Sequence, residues 1–487
     1  MREAQSAASK GASLKAVTDI CCVMRIRYLL LAATGIHFSA SACVYLAGAF
    51  AILPDYFDPH GFMMGDNSAY RSELISLNGA FNDTGLSGWL YAPVPVHIKI
   101  YSLGFIPFSR LTGANILAVE PVNLLYYLII LFLIFNIGRE VFDERVGLLA
   151  TAVVALWPSF LLHTTQVLRD PLFMVAVLAL ILVVSKWLTL TCTGREGFIN
   201  GFIGGIALCL VWLIRNDMWE LIVAIMALAF LLLLVRQLKE RKILTGNAFG
   251  AAIIVAFILL VPRLIPPSLY LSAQYLRRSD GGGQKYTGSE GMNAPAPGDR
   301  VHSRPGGRLL HVPARISFLR QRFIKMYPDA GSNLHPDIVF KTNGDLLRYV
   351  PWAVGIGFLA PFPGMWVAAG NEVGRAGRLL VGGEMLILYA FNLLAFAGLY
   401  YRRKQLSAWW LWLSAAMGFA ALGLVIVNIG ALVRMRYAFS MLIVIVGSEG
   451  IVRALSIIRP QGEVRDAMPV VGNDVGGSHE LEYGRGR

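Results

Sequence analysis

Charge is scarce in this sequence. Asp, Glu, Lys and Arg supply 15% of its 487 residues, against about 25% in a soluble domain, so most of the chain cannot present an ordinary water-facing surface. Cysteine is scarce too. Cys21, Cys22, Cys43, Cys192 and Cys209 fall outside the long polar segments and follow no zinc-ligand spacing, which excludes a disulfide framework and a structural zinc site. No internal repeat is visible, and the glycine runs lack the strand and helix that flank a phosphate loop. A short apolar core of about 7–15 residues, as in a cleaved leader, is also missing. Arg25 and Arg27 instead precede an apolar run at 28–53 that reads as a retained first span.

What fills the chain is hydrophobic, at 56% of residues. Runs approaching the roughly 20 residues needed to cross a bilayer occur at 28–53, 119–137, 146–162, 171–190, 198–214, 218–235, 247–266, 379–401, 406–427 and 437–452. The expected fold is an all-α polytopic membrane protein. Stretches 94–112 and 350–366 are interrupted by Lys99 and Arg110, and by Pro351, Pro361 and Pro363. They read as interfacial or re-entrant segments rather than regular spans.

Lys and Arg set the orientation. With the N-terminus inside and ten alternating spans, the short inner loops hold Arg139, Arg145, Lys186, Arg195, Arg236, Lys239, Arg241, Lys242, Arg402, Arg403 and Lys404. The short outer loops hold only Arg169, Arg215, Arg434 and Arg436. Eleven against four is the asymmetry that places the first set in the cytoplasm. The net charge of +13 is then explained by topology and anionic lipid rather than nucleic acid.

This layout divides the chain into a cytoplasmic segment 1–27, a membrane module 28–266 with a first outer loop 54–118, and a large outer loop 267–378 that includes 350–366. C-terminal spans at 379–455 and a disordered cytoplasmic tail at 456–487 complete it. The outer loop contains "RRSDGGGQKYTGSEGMNAPAPGDRVHSRPGGR", a composition expected to be flexible.

The layout also gathers polar groups at one face. Asp66 and Tyr70 lie in "GDNSAY" of the first outer loop, Asp170 in "LRDP", Arg215 and Asp217 in "RND", Glu384 about a turn and a half into a descending helix, and Arg434 and Arg436 in "RMRY". Ionisable groups at membrane depth are costly unless paired or facing a cavity. Carboxylates supply a general base or hold a divalent cation, and arginines recognise phosphate through charge-assisted bonds. Such a set suits a lipid-borne phosphate leaving group attacked by a nucleophile from outside water. Tyr70 is either an interfacial anchor or a platform for a sugar, and His60, His97 and His163 read as interfacial residues.

The D-x-x-x-Y order, followed by "YAPVPVHIKIYSLGFIPFSRLTG" and "NIGREVFDERVGLLATAVVALWPSFLLHTTQVLRDP", resembles the GT-C superfamily of polyprenyl-phosphate-sugar glycosyltransferases. The branch is that of the protein mannosyltransferases and the lipid A aminoarabinose transferase, and "RMRY" is similar to its late arginine motif. The likeness covers about residues 55–185 and, more thinly, 429–450. It implies a bundle of about ten to thirteen transmembrane helices with extracytoplasmic juxtamembrane helices and one long outer loop. It further implies Asp66 as the catalytic acidic residue, Asp170 as the acid that positions acceptor or metal, and Arg434, Arg436 and Lys99 as ligands of the donor phosphate. Tyr70, Arg215, Asp217 and Glu384 are the remaining substrate-binding candidates. The first loop differs in reading "GDN" where many relatives have paired acids, and the proline after the arginine motif is replaced by "RYAFSM".

The expected activity is that of an inverting hexosyl- or pentosyltransferase of the inner membrane, with its site on the extracytoplasmic face. The donor is a polyprenyl-phosphate sugar, and the acceptor an envelope glycan, lipid or protein. A lipid-linked polysaccharide polymerase or ligase would share the donor chemistry. A transporter or flippase would place its charges near the midplane, at broken helices of an inverted repeat.

Overall fold

The computed structural model describes residues 2–64, 66–265, 312–326, 332–367 and 374–458. The glycine- and proline-rich stretch and the tail beyond 458 lie outside them. Among the described residues sixteen α-helices carry the fold. The first ten are α1 (Arg2–Ala49), α2 (Asp66–Tyr91), α3 (Val96–Thr112), α4 (Glu120–Val141), α5 (Glu144–Ala155), α6 (Pro158–Thr164), α7 (Asp170–Thr189), α8 (Gly194–Arg215), α9 (Trp219–Glu240) and α10 (Thr245–Leu264). The rest are α11 (Val312–Met326), α12 (Asn343–Leu359), α13 (Gly374–Tyr401), α14 (Leu406–Val425), α15 (Ile429–Met435) and α16 (Tyr437–Ile458). Among the described residues the only β pairing is two isolated bridges, Phe57 with Met63 and Asn333 with Asn428.

Among the described residues eight helical stretches are long and apolar enough to cross a membrane, and the bent pair α5–α6 makes a ninth. That pair turns by 70° at Trp157–Pro158, where proline takes the first position of α6 and needs no amide partner. One of the eight stretches, Gly194–Glu240, is 47 residues long. Its geometry resolves into two spans. The backbone leaves helical geometry at Arg215 (φ −142°) and passes through a 3-10 turn at Asn216–Met218. At the far end of α9, Arg236 Nη1 donates to Trp187 O at 2.6 Å and Leu190 O at 2.8 Å. Those carbonyls end α7, just before α8 starts, so α9 returns to the face that α8 left. Counted this way the bundle has the ten spans read from hydropathy.

Close backbone contact orders the neighbours. A Cβ added at Gly197 would stand 2.0 Å from Gly246 O, and one at Gly201 would stand 2.8 Å from Gly250 O. The paired numbers rise together, so α8 and α10 run parallel with their backbones touching. Lipid tails give helices no hydrophobic reason to associate, and small residues that admit such approach supply packing instead.

Basic residues collect at one face. Arg402 Nε and Arg453 Nε each stand 2.7 Å from Glu449 Oε1, and Gln405 Nε2 donates to Val141 O at 2.5 Å. With Arg236, these contacts tie together the loop ends that the charge count makes cytoplasmic.

The opposite face carries the juxtamembrane elements. In α3 the residues His97, Ile98, Tyr101, Ser102 and Phe105 are buried, a stripe at three- and four-residue spacing that lays one side of the helix on the bundle. α2 breaks at Gly85, whose φ of 66° favours a residue without Cβ.

Stretch 350–366 forms a re-entrant element. Gly357 packs on the backbone of Phe419, and Gly423 on Ala353, so α12 runs antiparallel to the outer half of α14. Tyr389 Oη donates to Leu359 O, and Trp366 packs on Gly382 further out along α13. The chain therefore enters as far as Pro361 and turns back.

If the basic face is cytoplasmic, a cysteine placed at Ser87 on α2 will react with a membrane-impermeant maleimide in intact cells. One at Lys404 will react only after permeabilisation. Labelling in the reverse order would invert the topology and every role built on it.

Candidate functional site

The outer end of the bundle holds a connected group of charges. Asp170, the first residue of α7, accepts a hydrogen bond from Arg215 Nη2 at the end of α8. Its other carboxylate oxygen stands 3.2 Å from Arg434 Nε on α15. Asp217 Oδ2 lies 3.8 Å from Arg215 Nη1. Arg169 lies within electrostatic reach of Asp170, Asp217, Arg434 and Tyr70. The group therefore joins the second outer loop, the third and the last, as their charges suggested. Arg215 is 1% exposed, whereas the Arg434 side chain keeps 24%. Removing two charges from water costs several kcal/mol per ion unless geometry and hydrogen bonds repay it. Two carboxylates, Asp170 and Asp217, among three guanidiniums leave the group with positive charge in excess.

Next to it lies a second group built around the Trp-Pro corner. Glu384 on α13 accepts at 2.5 Å from both the backbone N–H and the hydroxyl of Ser159 on α6. Tyr437 Oη donates to Ser159 Oγ at 2.7 Å. His163, one turn along α6, has Nδ1 2.6 Å from Ser159 O and faces the Tyr437 ring at 5.5 Å. It lies within electrostatic reach of Arg434 and Asp170, which connects the two groups.

The segment between α6 and α7 is held from several sides. Thr164 Oγ1 stands 3.2 Å from His37 Nε2, and His37 Nδ1 stands 2.7 Å from Glu120 Oε1. Asn123 Nδ2 donates to Thr165 O at 2.8 Å, and Tyr101 Oη donates to Leu168 O at 3.0 Å. Gln166 uses both ends of its amide. Its Oε1 accepts from Met63 N at 2.8 Å and its Nε2 donates to Gly61 O at 3.3 Å. That amide ties the segment before α7 to the segment just before Asp66.

Asp66 opens α2, and the description of that residue stops at its backbone. Tyr70, a turn further on, meets His97 of α3 edge to face at 5.0 Å. His97 is 6% exposed and lies near Arg169, Asp170 and Arg215. Burial and the two arginines push its pKa down to about 3 against the opposing pull of Asp170. Glu73, on the same side of α2, is pushed up to about 7 by burial.

Two residues expected to bind phosphate have protein partners of their own. Lys99 Nζ donates to Leu90 O at 2.7 Å and lies over the Trp89 ring, tying α3 to the end of α2. Arg436 is 3% exposed. Its Nη1 donates to Ala360 O and, at 3.3 Å, to Gly357 O, while Nη2 points at Met385 Sδ. It caps the membrane-buried C-terminus of α12, where unpaired carbonyls and the negative end of the helix dipole favour a cation. His97 and His163, read from the sequence as interfacial, both lie beside these groups at the end of the bundle. The i,i+4 spacing of Ser159 and His163 after Trp157–Pro158 was the available signal. Among the described residues no group of three or more His, Cys, Asp or Glu is placed to hold a metal.

Residues 105–265 match the family model described as dolichyl-phosphate-mannose-protein mannosyltransferase. Comparison with curated proteins finds no match. Among solved structures, the archaeal oligosaccharyltransferase AglB from Archaeoglobus fulgidus, in complex with an inhibitory peptide and a dolichol-phosphate, aligns at a TM-score of 0.43 and 14% identity. The alignment covers 89% of this chain and 52% of that one, so the chain spans about half of that protein's length. Residues 105–265, which include Arg169, Asp170, Arg215 and Asp217, are thus similar in sequence to the dolichyl-phosphate-mannose-protein mannosyltransferases of the GT-C superfamily.

Proposed function

We propose that this chain is an integral membrane glycosyltransferase of GT-C type that takes a sugar from a polyprenyl-phosphate donor. The acceptor is a hydroxyl of an envelope glycan, lipid or protein at the extracytoplasmic face. The observation that carries the reading is the group in which Asp170 holds Arg215 and Arg434 at one end of the bundle. It lies where "LRDP" and "RMRY" resemble the family, and most of it falls in the matched region. A transporter would need such charges near the midplane.

In this mechanism Arg434, with Arg169 beside it, receives the donor phosphate. Asp170 orients the guanidiniums and offsets part of their charge. The acceptor oxygen attacks the anomeric carbon as the bond from that carbon to the phosphate oxygen breaks, with inversion. Asp66 takes the hydroxyl proton, and the arginines stabilise the charge that accumulates on the departing polyprenyl phosphate. Arg436 acts on the floor of the site, through α12, rather than on the phosphate.

Replacing Asp66 by Asn keeps size and hydrogen bonding but removes the proton acceptor. Transfer in vitro should fall by about 10²–10⁴-fold, the range of positioned general-base catalysis, while donor binding is retained. Asp55→Asn, outside the D-x-x-x-Y spacing, is expected to stay near wild type. Normal turnover by Asp66→Asn would move the base elsewhere.

The two late arginines should separate by measurement. Arg434→Ala is expected to weaken binding of polyprenyl phosphate in nanodiscs by about ten- to a hundred-fold, since a charge-assisted contact contributes roughly 1.5–3 kcal/mol. Arg436→Ala should lower the thermal midpoint and change that affinity less. The opposite pattern would exchange their roles.

A further inference from the structure

His97 Nε2 is buried and has no hydrogen-bond partner. A buried polar atom left unpaired costs about 1–3 kcal/mol, so each one calls for a physical reason. Fold alone does not supply one here. The ring's packing needs only an aromatic edge toward Tyr70, 5.0 Å away at an interplanar angle of 86°, and phenylalanine would serve as well. The ring instead links two chemically different parts of the site. It packs on Tyr70, which follows Asp66 by four residues in the first turn of α2, and it lies within electrostatic reach of Arg169, Asp170 and Arg215.

We infer that His97 is a binding residue for the donor's sugar, its Nε2 exchanging a hydrogen bond with a ring hydroxyl. The inference rests on the glycosyltransferase reading above. If the phosphate lies at Arg434 and the attacking hydroxyl at Asp66, the sugar must lie between them, and His97, packed on Tyr70 and within reach of Asp170, is the polar ring available to meet it. Burial and the flanking arginines keep the imidazole neutral. A neutral ring adds no charge to the three guanidiniums, yet it can donate or accept a hydrogen bond. With the Tyr70 face beside it, the pair combines a flat apolar surface with one polar atom, which is what a sugar ring presents in return.

His97→Phe and His97→Gln separate this role from packing. Phe keeps the contact with Tyr70 and deletes the nitrogen; Gln gives up the ring but restores a polar head. The probes are polyprenyl phosphate alone and a panel of polyprenyl-phosphate hexoses and pentoses, measured with the full chain in nanodiscs. For wild type, the best sugar-bearing lipid should bind more tightly than polyprenyl phosphate. In His97→Phe that preference should fall at least tenfold while affinity for polyprenyl phosphate is unchanged, and the thermal midpoint should be equal or higher. His97→Gln should recover part of the preference. Equal losses for both lipids, or a lower midpoint in His97→Phe with the preference intact, would overturn the role. So would an unchanged donor preference accompanied by a raised acceptor KM, which would put the nitrogen on the acceptor. Wild-type protein that binds neither lipid would instead remove the glycosyltransferase reading itself, and the sugar contact with it.

Discussion

A single carboxylate holds the outer end of this bundle together. Asp170 meets Arg215 from α8 and Arg434 from α15, segments 219 residues apart in sequence. In water such an ion pair would contribute little. Here all three groups lie near the end of spanning helices, where an unpaired charge is expensive and a paired one fixes which helix ends can meet. The excess positive charge that remains is directed at one place. An enzyme that releases a lipid phosphate requires that charge to be present before the reaction begins, because dipoles and charges already in position need no rearrangement as the leaving group forms.

The membrane architecture was largely legible in the sequence. Each span must satisfy its own backbone and present apolar side chains to lipid, so hydropathy marks the helices directly. The prolines at 351, 361 and 363 marked that stretch as an interfacial or re-entrant segment rather than a regular span for the same reason. The gathering of Asp170, Arg215, Asp217 and Arg434 also followed from topology, since alternation assigns each loop to a face.

Individual contacts were not legible. "RMRY" shows two arginines one residue apart, but nothing local reveals that Arg436 turns to the carbonyls of α12 while Arg434 turns to Asp170. That division depends on a helix more than 70 residues upstream. The neighbours of His97 and His163 were hidden because a lone histidine in a sequence carries no sign of what it packs against. Only the fold sets one beside Tyr70 and the other beside Tyr437. Gln166 gave no signal at all, since a glutamine that bridges two backbones does so through atoms contributed by a distant loop.

The Gln166 bridge also fixes what can move. By tying Gly61 and Met63 to the segment that leads into Asp170, it anchors the chain just before α2 to the segment that carries the charged group. The helix next leaves helical geometry at Gly85. On the proposed reading, the anchored end of α2 carries the base, and the arm beyond that glycine is the part left to adjust to an acceptor. Chemistry and admission would then belong to opposite ends of one helix, and acceptor range could drift in evolution without disturbing the reaction.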